Sequence, residues 1–195
     1  ALLAAALAAA AAGGASVAQG QLVSADLNVL AAEKFLDTTD WGPTNRQGEL
    51  GLMSDWQWGD WPAEIAVDLL AASRQAPVSA APYASQEAHT FELGLGARKF
   101  WRRGEELRPF LGAGPEAAFA VLEYTGAAGP QPSLSSGVGG SFGAWADGGV
   151  LWAFTPVFNL GFDARWSAAD VRLFGGERDA GGLHFGLFAG YHFGS

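Results

Sequence analysis

The chain ends on GLHFGLFAGYHFGS, residues 182–195, in which Leu183, Phe185, Leu187, Ala189, Tyr191 and Phe193 occupy every second position. Between them stand His184, Gly186, Phe188, Gly190 and His192. A period of two sends successive side chains to opposite faces, so this is a strand with one oily face and one of glycine and histidine. Which face is enclosed decides the fold.

The same alternation recurs upstream. Over 47–58, Leu50, Leu52, Trp56 and Trp58 oppose Glu49, Gly51, Asp55 and Gln57; over 63–74, Ile65, Val67, Leu69 and Ala71 oppose Glu64, Ala66 and Asp68. Phe91, Leu93, Leu95 and Trp101 oppose Glu92, Gly94, Gly96 and Arg98. Leu111, Ala113, Phe119 and Val121 oppose Arg108, Gly112, Gly114 and Glu116. Phe142, Ala144, Val150, Trp152 and Phe154 oppose Ser141, Gly143, Asp147 and Gly149, and Phe158, Leu160, Phe162 and Trp166 oppose Asn159, Asp163, Arg165 and Ser167. Near Ala168–Asp170 the pattern slips before Val171 and Leu173, which predicts a bulge. An eighth strand closes the sheet with both ends on one side, and 27–35 is the segment left to supply it.

The connections sort by length. GDWP (59–62), RRGEE (102–106) and TPV (155–157) are tight, whereas 37–46, 75–88, 125–136 and 175–181 are longer and rich in Gly, Pro, Ser and Asp. Short turns on one rim and long loops on the other is the arrangement of an outer-membrane barrel. The aromatic residues sort the same way. Trp56, Trp58, Trp61, Phe100, Trp101, Trp152, Phe154, Phe158, Tyr191 and Phe193 fall beside the short turns or the C-terminus, where they would form one girdle at the membrane–water boundary. Trp41, Tyr83, Tyr124 and Trp166 are candidates for the opposite ring.

The oily row therefore points into lipid, and glycines and charges point inward. The expected fold is all-β, an eight-stranded antiparallel up-and-down transmembrane β-barrel. Its lumen is just wide enough to be filled by side chains, so Met53, Trp145 and Phe188 need the inward glycines as neighbours. The competing architecture is a soluble lipocalin-like barrel, with the oily row lining a ligand pocket; it leaves the tryptophan girdle unexplained.

Totals narrow the function. The 195 residues include 28 Gly, 8 Trp and no Cys, with a net charge of −9. The acidic balance argues against nucleic acid as a partner. Without cysteine there is no disulfide framework and no thiolate chemistry. Residues 1–18 (ALLAAALAAAAAGGASVA) read as the apolar part of a secretory signal, begun partway, with cleavage before Gln19. That leaves 19–195 as the barrel domain. A spanning helix is the rival for this segment, but its continuous apolar stretch is about half of the ~20 residues a span needs.

Over residues 26–193 the chain resembles the small bacterial outer-membrane barrels, the OmpA/OmpX-like eight-stranded group. The stretches KFLDTTDWGP (34–43), DWP (60–62), RPFLGAG (108–114) and NLGFDARWSAADVRLF (159–174) carry the likeness. YHF (191–193) is similar to the aromatic-x-aromatic terminal signal read by the barrel-assembly machinery, with Gly194 and Ser195 following it. The resemblance implies an outer-membrane location with periplasmic termini, lipid around the wall, and that machinery as a partner during insertion. It implies no substrate.

Candidate chemistry is thin. GGSFG (139–143) has the spacing of a serine-hydrolase elbow, but that elbow needs a strand turning into a helix, and this one lies inside a strand. His184 and His192 share the inward face about 26 Å apart at ~3.3 Å per residue, too far for one metal ion. A lipid A deacylase-like enzyme would need a His beside a hydroxyl on the outer surface, and His89 with Thr90 or Ser85 is the candidate. The expected site is instead a luminal charge network: Glu49, Asp55, Glu64, Asp68, Glu92, Glu116, Asp147 and Asp163 facing Arg98, Arg108 and Arg165, with Lys34 as a further cation. Unpaired charges are costly to bury, so these should pair and fill the lumen. The expectation is a non-enzymatic barrel with no cofactor, serving structure, contact with a surface partner through the long loops, or restricted passage of small solutes.

Overall fold

A computed structural model describes residues 22–78, 83–126 and 134–194. The signal-like segment 1–18 and the centres of two long loops (79–82 and 127–133) lie outside the described residues.

The strands are β1 (Leu22–Phe35), β2 (Arg46–Trp58), β3 (Glu64–Pro77), β4 (Tyr83–Phe100), β5 (Leu107–Gly126), β6 (Leu134–Ala153), β7 (Phe158–Ala168), β8 (Asp170–Leu173), β9 (Gly176–Asp179) and β10 (Gly182–Gly194). A short helix, α1 (Thr38–Trp41), and a 3-10 turn (Gly42–Thr44) join β1 to β2. Eight strands close in the order β1-β10-β7-β6-β5-β4-β3-β2, and β8 and β9 form a separate hairpin. Every neighbouring pair in the barrel is antiparallel.

Register fixes the tilt. Stepping across paired residues from Trp152 through Leu160, Ala189, Val29, Leu52, Leu69, Leu93 and Ala117 returns to β6 at Phe142, ten residues (152 minus 142) from the start. With eight strands ~4.8 Å apart, that stagger inclines each strand by about 40° to the axis. Ten residues along such a strand rise about 25 Å, the height of the apolar band of an outer-membrane barrel.

The wall has that band. Val29, Leu50, Leu69, Leu93, Leu95, Phe162, Phe185 and Leu187 are exposed outward, whereas Asp55, Asp68, Glu92, Arg98, Glu116 and Arg165 are buried inside. This orientation is the reverse of a lipocalin's. One rim of the band carries Trp152 and Phe154 edge to face, and Phe158 against Tyr191, which neighbours Phe193. Trp56 and Trp58 are half-buried there, Trp61 and Trp101 are exposed in the adjoining turns, and Lys99 lies over the Trp101 ring. At the other rim the outer face turns polar at Glu33, Arg46, Ser73 and His89.

Four expectations need correction. The slip at Ala168–Asp170 is no bulge: β7 ends at Ala168 and the chain leaves the wall to form the β8–β9 hairpin. Val171 and Leu173 alternate because they face a core of their own. Trp41 joins no outer ring; it is buried in that same core. Phe100 points inward, against Phe110. Most of 75–88 is strand, because β3 and β4 run on well past the ends of β1 and β2. The weakly patterned 27–35 does supply the first strand, which already begins at Leu22.

Candidate functional site

Side chains fill the lumen through most of its length. Leu30, Met53, Leu70, Phe100, Phe110, Leu151 and Phe188 form an apolar layer that starts near the aromatic rim at Phe100, Phe110 and Leu151 and climbs to Leu70. Glycines make room for the large rings. A Cβ on Gly96 would fall 2.7 Å from the Trp145 ring, and one on Gly94 would fall 2.9 Å from its indole nitrogen.

Interleaved with this layer lies the charge network. Arg98 is its hub: Nη1 reaches Asp55 Oδ1 at 2.6 Å, Nη2 reaches Asp68 Oδ2 at 2.9 Å, and Nε and Nη2 both donate to Asp147 Oδ2. Arg165 pairs with Asp68 Oδ2 at 2.8 Å and Glu116 Oε2 at 3.0 Å. The Trp145 ring meets both guanidiniums, 5.5 Å from that of Arg98 and 4.5 Å from that of Arg165. Each arginine thus spreads its charge over carboxylates and a π face, the arrangement that makes a buried guanidinium tolerable.

A second hub is lysine. Lys34 Nζ donates to Glu92 Oε1 at 2.5 Å, Thr90 Oγ1 at 3.2 Å and the Ala180 carbonyl at 2.6 Å. Next to it, His184 Nδ1 lies 2.8 Å from Glu49 Oε2, and His184 Nε2 lies 3.0 Å from Ser167 Oγ. Ser167 Oγ is in turn 3.2 Å from Glu92 Oε1. Inward parity alone could have nominated Ser167 and His184, but no sequence pattern joined them to Glu49.

Ser167, His184 and Glu49 have the spacing of an acid–base–nucleophile set, and their setting opposes that use. All three are buried, and Glu92 competes for the hydroxyl proton. Hydrolysis also needs donors aimed at a developing oxyanion, and the hydroxyl's neighbours here are an imidazole and a carboxylate. The three act as links in the network that ties β2, β7 and β10 together.

Above Lys34 the mouth is capped. Leu36, Trp41, Ala88, Ala120, Leu122, Val171, Leu173 and Ala180 form a second apolar core, with Tyr124 packed against it. Asp37 caps α1 by accepting from the Thr39 and Asp40 amides, which sets Trp41 over the opening. The Trp41 indole donates to the Asp179 carbonyl at 2.7 Å, and the Asp179 amide donates to the Asp40 carboxylate at 3.0 Å. Arg178 also bonds the Asp40 carbonyl, so the hairpin is latched to the helix.

Some predicted members fall outside this network. Arg108 sits at the aromatic-rim mouth, and among the described residues its side chain bonds only the Glu105 carbonyl, at 3.1 Å. Glu64 pairs with Arg103, which comes from a short turn the alternation could not reach. Asp163 is buried, and its Oδ1 has no hydrogen-bond partner among the described residues. On the wall, His89 pairs with Glu87 at 3.1 Å. Thr90 points to the opposite face, into the lumen, so it cannot serve His89. Among the described residues no three His, Asp or Glu side chains converge as a metal site.

No protein-family model matches the chain, and no curated protein does. Solved structures do. The outer membrane protein OprG of Pseudomonas aeruginosa is 13% identical, covers 92% of this chain and 100% of its own, and superposes with a TM-score of 0.64. A major outer membrane protein of Thermus thermophilus is 11% identical over 87% of this chain and 98% of its own, with a TM-score of 0.57. Ail, the attachment invasion locus protein of Yersinia pestis, is 13% identical over 89% and 100%, with a TM-score of 0.52. These likenesses give the chain the fold of the small eight-stranded outer-membrane barrels.

Proposed function

We propose that this chain is an outer-membrane barrel that serves as a sealed, surface-presenting scaffold, neither a pore nor an enzyme. One observation carries the reading: buried side chains fill the lumen, with paired charges interleaved with one apolar cluster and a second apolar core above Lys34. An ion crossing it would have to part Arg98 from its carboxylates and then displace the Trp41 cap. Leu22 and Gly194, the described chain ends, lie at the aromatic rim. We take that rim as periplasmic, with the barrel-assembly machinery inserting the chain and lipid surrounding its wall.

The capped end then faces outward, and its shape supports contact with a surface partner. β6 is registered with β7 only from Ala144 down, while its upper half, to Leu134, is registered with β5 alone. Among the described residues that upper half offers an unpaired backbone edge rich in small residues, the kind of edge an extended segment of a partner can join. Val138, at 71% exposure, and Phe142, at 89%, flank it on the outer face.

Planar-bilayer recording of the folded barrel tests the reading. Silence is expected; a steady open current would replace the scaffold with a channel. The competing reading, a lipid-modifying enzyme, is tested by incubating detergent-extracted protein with lipid A or phospholipid. Turnover lost on His89→Ala or Ser167→Ala would overturn the non-enzymatic assignment.

A further inference from the structure

The aromatic-rim mouth is hollow where the capped mouth is full. A cavity of about 390 Å³ opens there, floored by Phe100 and Leu151 of the lower lumen. Its rim carries Arg103 and Arg108 together with Asp26, Asp60, Glu64 and His192. Small-ligand sites start at roughly 300 Å³, so the space suits a molecule of a few residues at most.

The charges are placed across from one another. In the ring order β1 is four strands from β5, and β10 is four strands from β4. Arg108 on β5 therefore stands opposite Asp26 on β1, and Arg103, just past β4, stands opposite His192 on β10. Neither of the first two is used up. Asp26 Oδ1 accepts from Asn159 at 2.9 Å and meets His192 Nδ1 at 3.0 Å, and both of these contacts are on one carboxylate oxygen. Arg108 bonds through Nε to a carbonyl and forms no ion pair among the described residues.

We propose that this basin binds a small zwitterion, a free amino acid or a short peptide, with its carboxylate on the Arg108 guanidinium and its ammonium on Asp26. Arg offers a planar fork that matches a carboxylate with two parallel hydrogen bonds. The apolar floor receives an aliphatic side chain and also closes the way onward. The ligand is held and released at the same mouth, without crossing. Opposed charges on facing strands favour a molecule whose own charges are several bonds apart, hence a short peptide over a single amino acid.

The test is an NMR titration of the whole folded barrel in detergent micelles. It follows the indole N–H of Trp61, which lines the same basin and is assigned with Trp61→Phe. Trialanine should shift that signal saturably. N-acetyl-trialanine and trialanine amide should each bind at least tenfold more weakly, as should trialanine to the Arg108→Gln and Asp26→Asn variants. Arg108→Gln removes no buried partner and should fold normally, so it keeps the test decisive if Asp26→Asn does not. Alanine binding as well as trialanine would support the basin and assign it to free amino acids. Capped peptides acting like trialanine, no saturable shift, or undiminished binding by Arg108→Gln would overturn the proposal.

Discussion

Arg98 and Arg108 occupy inward positions in adjacent strands, yet they meet opposite fates. Arg98 is enclosed inside the lumen among Asp55, Asp68 and Asp147, with Phe110 and Trp145 rings against its guanidinium. Arg108, near the start of β5, reaches the open mouth and holds one carbonyl. Inward parity is common to both; depth along the strand decides whether an inward charge is a structural hub or a group left free for a ligand. In the middle of the barrel every donor must find a partner, whereas at the mouth water or a bound molecule can supply one.

The sharpest way to break this contrast is to empty the hub. Arg98→Met leaves buried Asp55 and Asp147 without their cation and Asp68 with Arg165 alone, and removing one partner of such a network costs about 3–5 kcal/mol. The variant should resist refolding or lose its heat-resistant band shift in gel electrophoresis far below the parent's temperature. Normal refolding would mean that the apolar layers alone specify the barrel.

Next in size is a charge on the other face. Leu52 lies midway along β2, with its side chain toward lipid. Leu52→Arg should cost about 2–4 kcal/mol of membrane stability, read by urea titration in lipid vesicles. If an Arg at Leu52 were harmless, the membrane would not surround this part of the wall.

A smaller change tests whether the buried polar chain is connected. Ser167 bridges His184 and Glu92, so Ser167→Ala leaves a buried imidazole nitrogen without its neighbour at a cost of about 1–3 kcal/mol. A double-mutant cycle with Glu49→Gln should show coupling, because Glu49 orients the same ring. Additive losses would mean that these groups are packed side by side and act independently.

The barrel was legible because its physics is periodic. A strand between lipid and lumen must alternate, and β2, β3 and β10 do so along almost their whole length. Lys34, Glu92 and Arg165 could therefore be placed on the inner face, but the pairing between them could not. A stagger of ten residues decides which inward residues share a level, and alternation carries no record of stagger. The cap was hidden for a different reason. Trp41, Val171 and Leu173 lie outside the wall strands, where an oily residue reads as a rim aromatic or as a slipped strand. Arg103 pairs with Glu64 from a turn, and turns have no facing rule at all.

The smallest expected effect is the one that separates a structural arginine from a free one. Arg108→Gln removes a charge at the mouth whose side chain, among the described residues, hydrogen-bonds only the Glu105 carbonyl. A substitution of that kind costs less than about 0.5 kcal/mol, so unfolding in detergent should superpose on the parent's. Alongside Arg98→Met, which removes the same charge from the neighbouring strand, this isolates depth as the variable. Measurable destabilisation by Arg108→Gln would show that the mouth acids lean on this guanidinium, and that the rim is a continuation of the buried network.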